Sequence, residues 1–190
     1  KDMSKMVEHM NSTGHLCIYA HPRWSQIKIE EYDIISGCIG MEVYNNVCEL
    51  EAGCGYAETY FDREMWKPKS RLCFASDDAH GRGHYLGGFI CVKADRFTYK
   101  GIMDAIRAGS FYSSNGPEIF DFYVEDGVAY IKCSPCSDIV FFTDAAPGSR
   151  VVRNSPGSTE ASYIVPQGAT CIYAVCKNGS SRAWTQIIRL

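Results

Sequence analysis

The first 117 residues alternate between short apolar runs and amphipathic stretches that have a helical period. Continuous apolar runs at 16–20, 38–44, 72–76 and 89–93 predict buried strands. Stretches with apolar positions three and four residues apart predict helices at 2–13, 27–36, 56–66 and 98–108. Strands that alternate with helices in this way predict a parallel sheet or barrel.

The helical period disappears after Pro117. Short apolar stretches at 128–133, 139–143, 161–165, 169–176 and 183–190 predict further strands. Asp126-Gly127 and Asn178-Gly179 are typical hairpin turns. Closely spaced strands with regular turns predict a small β-sandwich. We therefore predict an α/β domain over 1–117 and an all-β domain over 118–190.

Composition narrows the possible partners. Hydrophobic residues make up 46% of the chain, so a packed core is expected. The formal net charge of −3 and pI near 6.0 give no basic face for nucleic acid. No apolar run approaches the roughly 20 residues that span a bilayer. We therefore expect neither a nucleic-acid nor a membrane partner.

The chain has ten cysteines, most of which lie inside apolar runs. Such cysteines behave as small buried hydrophobes, so we predict reduced thiols and a cytoplasmic location. Cys133 and Cys136 form a close pair in sequence. A structural zinc site usually needs a second pair at similar spacing, and the sequence has none.

Polar residues follow three of the predicted strands directly. His21 follows the first, Glu42 and Asn45 lie at the end of the second, and Asp77-Asp78-Ala79-His80 follows the third. In parallel sheets and barrels the functional groups gather at the carboxyl ends of the strands. Imidazole and carboxylate groups are ligands for divalent metals that activate water. This pattern predicts a metal-dependent hydrolase.

Each of these residues also has an ordinary structural interpretation. A histidine before proline is more often part of a loop, Glu42 suits a solvent-facing strand end, and Asp77 suits a turn or helix cap. Arg23 could bind phosphate through its guanidinium or simply face solvent. Their joint occurrence at strand ends favours a site.

The motifs resemble those of the PHP (polymerase and histidinol phosphatase) superfamily. The resemblance rests on His21-Pro22, on the strand 40–45 and on Ser76-Asp77-Asp78-Ala79-His80-Gly81. The segment 108–117 and the ending around 183–185 resemble the CehA-like branch of that superfamily.

The resemblance implies the later part of a distorted seven-stranded, TIM-like β/α barrel, followed by the β-sandwich. It implies a small-molecule phosphate ester as substrate and divalent metal ions (Zn, Mn or Fe) as cofactors. By this match His21, Asp78 and His80 are metal ligands. The residues assigned to substrate, or to supporting the ligands, are Glu42, Asn45, Asp77 and Arg23.

The sequence departs from the family at its opening motif. The family begins with a His-x-His strand end, and this chain has no His-x-His. We therefore expect a metal site without its N-terminal half, completed by a longer parent protein or by another chain in an oligomer. Two alternatives stay open. One is a non-catalytic binding or assembly module with a degenerate barrel, and the other is hydrolysis of an amide or cyclic ester.

Overall fold

The computed structural model describes residues 3–145, 149–152 and 157–190, with only the backbone described for 149–152. The chain divides into two compact units, Lys1–Gly88 and Phe89–Leu190. The domain boundary predicted after residue 117 therefore falls inside the second unit. Among the described residues, no helix has both the length and the apolar character that a bilayer span requires.

The first unit is a mixed α/β structure. Its helices are α1 (Met3–Ser12), α2 (Ile29–Ile34), α3 (Asn46–Ala52) and α4 (Glu58–Asp62), with short 3₁₀ helices at Arg63–Trp66 and Arg82–His84. Its strands are β1 (Ile18–Tyr19), β2 (Gly40–Asn45) and β3 (Leu72–Ser76). They form a parallel sheet in the order β1-β2-β3. The parallel arrangement predicted for these strands is confirmed, whereas the described residues do not show a seven-stranded barrel.

The core of this unit includes the central strand β2. Met41 and Val43 of this strand are fully buried, as are Cys73 of β3 and Phe61 of α4. Burying a side chain of this size contributes about 1.5–3 kcal/mol. Apolar contacts therefore hold the central strand in position. The strand in turn positions the polar residues at its C-terminal end.

A buried charged network joins α2 to the segment between α4 and β3. Glu64 is fully buried, and its Oε1 accepts hydrogen bonds from Tyr32 Oη (2.7 Å), Lys67 Nζ (2.8 Å) and Arg71 Nη1 (3.1 Å). The backbone N of Arg71 donates to Glu64 Oε2 (2.9 Å). Arg71 also donates to the Ile35 carbonyl. Burial, followed by the negative charge of Glu64, raises the pKa of Tyr32.

The second unit is built mainly of antiparallel strands. Its elements are β4 (Phe89–Val92), α5 (Tyr99–Arg107), β5 (Phe111–Ser114), β6 (Ile119–Glu125), β7 (Val128–Cys136), β8 (Asp138–Thr143), β9 (Ser149–Val152), β10 (Ser158–Ile164), β11 (Cys171–Asn178), β12 (Ser181–Trp184) and β13 (Ile188–Arg189). One sheet has the order β10-β7-β6. The other has the order β4-β5-β12-β11-β8-β9, with β13 paired to β11.

The strand predicted at 89–93 forms, but it does not extend the parallel sheet. As β4 it pairs antiparallel with β5, although α5 lies between them in sequence. Thr98 caps α5 as predicted, because its Oγ1 accepts from Gly101 N at 3.1 Å. Two neighbouring strands that are connected by a helix are usually parallel. Here β4 and β5 run in opposite directions although α5 connects them.

Both sheets of the second unit contribute to one hydrophobic core. Ile131 of β7, Phe141 of β8 and Ile172 of β11 are almost completely buried within it. Tyr163 stacks on Phe141 with ring centroids 5.3 Å apart, and Trp184 is fully buried. Both aromatic residues are therefore part of the packing of this unit.

Candidate metal centre

His21 follows β1 in an unusual backbone conformation. Its φ is 32°, a region that few non-glycine residues adopt. Its backbone N donates to Glu42 Oε2 at 2.8 Å. Its ring nitrogen Nδ1 shares a hydrogen bond with Ser25 Oγ at 2.9 Å, and its ring lies edge-on to Trp24 with centroids 5.0 Å apart. Because the hydrogen bond with Ser25 occupies Nδ1, Nε2 is the ring nitrogen that remains available to a metal.

Glu42 of β2 connects the ends of the three parallel strands. Its Oε2 accepts from His21 N (2.8 Å) and from Asn45 Nδ2 (2.9 Å), and its Oε1 accepts from Ser76 Oγ (2.6 Å). All three donors are electrically neutral. Among the described residues, no lysine or arginine forms an ion pair with Glu42 or with Asp78.

Asn45 links this carboxylate to helix α3 and to Asp78. Its Oδ1 accepts from Cys48 N at 3.0 Å and so caps the N-terminus of α3. Its Nδ2 donates to Glu42 Oε2 and also to Asp78 Oδ2 at 3.1 Å. The side chain is 1% exposed, so both carboxylates are held by a buried, immobile amide.

Asp78 and His80 follow β3 and lie beside each other. Asp78 has a φ of 50°, and its Oδ1 is 3.9 Å from His80 Nε2. A divalent cation about 2.0–2.2 Å from each atom fits between them. The backbone N of His80 donates to His84 Nδ1 at 3.1 Å, which ties this turn to the following 3₁₀ helix.

The three predicted ligands border one pocket of about 240 Å³. It is lined by His21, Trp24, Val47, Cys48, Glu51, Asp78 and His80. The ligand atoms of His21, Asp78 and His80 do not all lie within 4.8 Å of one another. In the described part of the chain, only a cluster of three cysteines in the second unit has its ligand atoms this close together. His80 is 71% exposed at its side chain, so rotation of this residue is the simplest way to close the set around one ion.

Acidic side chains surround the pocket. Burial, the largest cause, raises the pKa of the Cys48 thiol to about 12, and the negative charges of Cys54, Asp78, Glu42 and Glu51 add to the effect. The imidazole and carboxylate groups at the pocket are donor types that suit a divalent metal.

Four of the residues assigned to the site from sequence do not line the pocket: Glu42, Asn45, Asp77 and Arg23. Glu42 and Asn45 lie behind it and contact its ligands through the hydrogen bonds described above. The Asp77 carboxylate accepts from the backbone N–H groups of Leu86 (2.7 Å), Gly87 (2.8 Å) and Gly88 (2.8 Å), and so fixes the loop after β3. Arg23 is exposed, and its Nη1 donates to the Tyr56 carbonyl at 3.2 Å.

Sequence reasoning missed helix α3 and the side chains that it brings to the pocket. Cys48 and Glu51 both lie on this helix. The available signal was Asn45, a favourable N-cap, followed by Gly53, whose left-handed conformation ends the helix. Glu51 Oε1 also lies 3.8 Å from His84 Nε2.

A larger pocket of about 510 Å³ lies within the second unit, beside β4, β5 and β6. Its lining is mainly apolar and includes Phe111, Tyr112 and Ile119. It does not contain the clustered imidazole and carboxylate groups of the smaller pocket. We therefore place the candidate chemistry in the first unit despite the difference in size.

No family model and no curated protein sequence matches this chain. A solved structure does: a two-domain protein from Bacteroides vulgatus ATCC 8482 that contains a predicted PHP-like metal-dependent phosphoesterase. The sequences are 12% identical, and the TM-score is 0.47. The alignment covers all of this chain and 66% of the other, so the chain spans just under two thirds of that protein. A likeness at this level assigns neither a family nor a reaction.

Proposed function

We propose that this chain carries part of a metal-dependent hydrolase site that acts on phosphate esters. His21, Asp78 and His80 are the proposed ligands of a divalent cation. The observation that supports this most directly is their position: two imidazoles and a carboxylate, from the ends of two parallel strands, border one pocket.

Within the described residues, no lysine or arginine forms an ion pair with Glu42 or Asp78, and this supports a bound cation. Glu42 and Asp78 are linked through the amide of Asn45. Two carboxylates held this close favour a positive partner, and a divalent cation supplies it. Zn, Mn and Fe all accept imidazole nitrogen together with carboxylate oxygen.

The chemistry would be that of an activated water. A bound divalent metal lowers the pKa of its water towards about 7 and stabilises the charge that develops on a phosphate ester. Within this scheme Asn45 orients the Asp78 carboxylate, and Glu42 fixes the backbone of His21. These two residues position the ligands and do not contact the ion themselves.

The proposed substrate is a small-molecule phosphate ester. A pocket of about 240 Å³ suits a phosphoryl group better than a large ligand. Three ligands from this chain can hold one ion. A centre with two or three ions needs further ligands, which we assign to another part of the protein or to a second chain in an oligomer.

A binding module without catalysis is the second candidate. It is favoured by the spacing of His21, Asp78 and His80, whose ligand atoms do not all lie within 4.8 Å of one another. In that case the pocket takes up a cation or anion–cation pair, and no ester is cleaved.

Metal loading and hydrolysis, measured on the same samples, test the proposal. The protein is stripped of metal, dialysed against Mn²⁺, Zn²⁺ or Fe²⁺, and assayed for bound metal by mass spectrometry and for cleavage of p-nitrophenyl phosphate esters. We expect His80→Ala to weaken metal binding by more than about 100-fold and to abolish cleavage. His9→Ala is the matched control, because His9 is exposed on α1 and distant in sequence from the strand ends.

The two candidates give different results. Metal that binds through His80 without cleavage of any ester supports the binding module. Wild-type protein that takes up no metal, or a His80→Ala variant that binds metal as well as the wild type does, contradicts both.

A further inference from the structure

Three cysteines from two different sheets meet inside the second unit. Cys133 and Cys136 lie on β7, and Cys176 lies on β11. Their residues are 1%, 1% and 0% exposed, and their sulfur atoms all lie within 4.8 Å of one another. We refer to these three residues as the thiol cluster.

An irregularity in β7 makes the thiol cluster possible. Residues three apart on a regular strand point to opposite faces of the sheet, so Cys133 and Cys136 should diverge. The pairing with β10 shifts between them, since Lys132 pairs with Glu160 and Cys136 pairs with Ser158. This bulge turns both cysteines into the core. Pro135 within it lacks an N–H and suits an interrupted strand.

The cluster is polar and hydrogen-bonded, although it lies in an apolar core. Cys136 Sγ donates to the Ser134 carbonyl at 3.1 Å. A hydrogen bond from Cys176 lowers the pKa of Cys136 to about 7, while hydrogen bonds to Cys133 and Cys136, together with burial, raise the pKa of Cys176.

We propose that the thiol cluster is a binding site for a thiophilic d¹⁰ cation held by three sulfur ligands. Metal–sulfur bonds of about 2.3 Å place three sulfurs roughly 4 Å apart, which is within the spacing that the cluster already has. Each thiol that becomes a ligand releases one proton to solvent, and no oxidation or reduction is involved.

Coordination number and charge point to two members of this class. In the described part of the chain, no further histidine, cysteine or carboxylate joins the cluster as a fourth ligand. Soft three-coordinate thiolate sites suit Cu(I), whereas zinc sites are almost always four-coordinate. The apolar surroundings favour a divalent ion, because Zn²⁺ leaves less net negative charge among three thiolates. Both cations are therefore tested.

The experiment uses the full chain, reduced and kept free of oxygen, in the His80→Ala background. That background separates the thiol cluster from the candidate metal centre of the first unit. One sample is titrated with Cu(I) against bicinchoninate, and a second with Zn²⁺ against a chromogenic chelator. X-ray absorption on the loaded protein reports the ligand atoms. We expect one equivalent of one of the two cations, with three sulfur neighbours.

Variants of the same strand provide the control. Cys176→Ser should weaken binding by more than about 100-fold. Cys171→Ser should leave it within about twofold, because Cys171 lies on β11 and is equally buried but does not belong to the cluster. Cys136→Ala is a second loss variant for the case in which Cys176→Ser fails to fold.

Several outcomes would overturn the proposal. They are binding of neither cation, only nitrogen and oxygen neighbours in the X-ray absorption spectrum, and an equal loss of binding in Cys171→Ser and Cys176→Ser. A disulfide between two of the three residues in the protein as purified, detected by alkylation and mass spectrometry, would also count against it.

Discussion

Glu64 and Glu42, two glutamates of the first unit, differ in how their charge is balanced. Glu64 is fully enclosed and contacts two cationic side chains, Lys67 and Arg71. In the described part of the chain, Glu42 accepts hydrogen bonds only from neutral groups, and the amide of Asn45 links it to Asp78. The described residues therefore place cationic side chains beside Glu64 and none beside Glu42.

A buried charge without a partner is costly, so a carboxylate that stabilises the fold is expected to have a cation or several hydrogen-bond donors within the chain. Glu64 has both kinds of partner. Glu42 has neutral donors, as Asp77 does, but these donors join it to His21 and, through Asn45, to Asp78, two of the proposed ligands. We therefore interpret Glu64 as structural and Glu42 as a support for the proposed ligands. Four substitutions test this interpretation.

The largest effect is expected for Glu64→Gln. Removal of this charge leaves Arg71 buried without its counter-ion, and we expect the free energy of unfolding to fall by about 3–5 kcal/mol. Urea denaturation followed by circular dichroism measures the change. Glu31→Gln, an exposed glutamate on α2, is the control. Equal stability of the two variants would remove the contrast between Glu64 and Glu42.

Asp77→Ala tests a carboxylate that is neutralised by backbone groups instead of side chains. Loss of hydrogen bonds from the N–H groups of Leu86, Gly87 and Gly88 should cost about 1.5–3 kcal/mol in the free energy of unfolding. Metal affinity, measured by equilibrium dialysis, should stay within about threefold. A loss of metal comparable to that of His80→Ala would show that Asp77 belongs to the metal centre.

Glu42→Gln should separate stability from metal binding. The amide can donate to Ser76 Oγ and still accept from His21 N and Asn45 Nδ2, so the metal-free protein should unfold within about 0.5 kcal/mol of the wild type. Metal affinity should fall by about 10-fold, because the supporting charge is lost. Strong destabilisation of the metal-free variant would show that Glu42, like Glu64, mainly stabilises the fold.

The smallest effect is expected for Asp33→Asn, at the solvent-exposed edge of the Glu64 network. A hydrogen bond from Arg63 lowers the pKa of Asp33, with a further contribution from Lys67. Its stabilising effect is therefore present above the unfolded-state pKa, near 4, and is lost as the pH falls through the lower folded-state value. The variant should be slightly less stable at pH 7, and its difference from the wild type should disappear in strong acid. A difference that persists there would assign the effect to packing.

Much of the fold could be predicted because buried strands appear in the sequence as continuous apolar runs. The run 72–76 coincides with β3, and Thr98 marks the start of α5. The pairing of β4 could not be predicted, because an apolar run does not encode the direction or identity of its partner. Helix α3 was missed because it spans only seven residues and directly follows the apolar strand β2, so its capping residues were the main signal.

The candidate site was partly predictable for a related reason. From the polar residues at strand ends we predicted that His21, Asp78 and His80 come together, and all three border one pocket, while their role as ligands stays a prediction. The family resemblance assigned Asp78 as a ligand and Asp77 as a supporting residue, but the sequence could not show that Asp77 would bind the backbone of the loop 86–88. The thiol cluster depends on a bulge and on a strand distant in sequence, so only the folded chain brings Cys176 to Cys133 and Cys136.

The positive φ angles of His21 and Asp78 carry a consequence for protein engineering. A non-glycine residue in this conformation costs roughly 1 kcal/mol, and glycine does not incur that cost. A screen for heat tolerance alone is therefore expected to favour glycine at these two positions. Heat-tolerant clones selected in this way would retain the fold but lose the imidazole of His21 and the carboxylate of Asp78, which are proposed metal ligands.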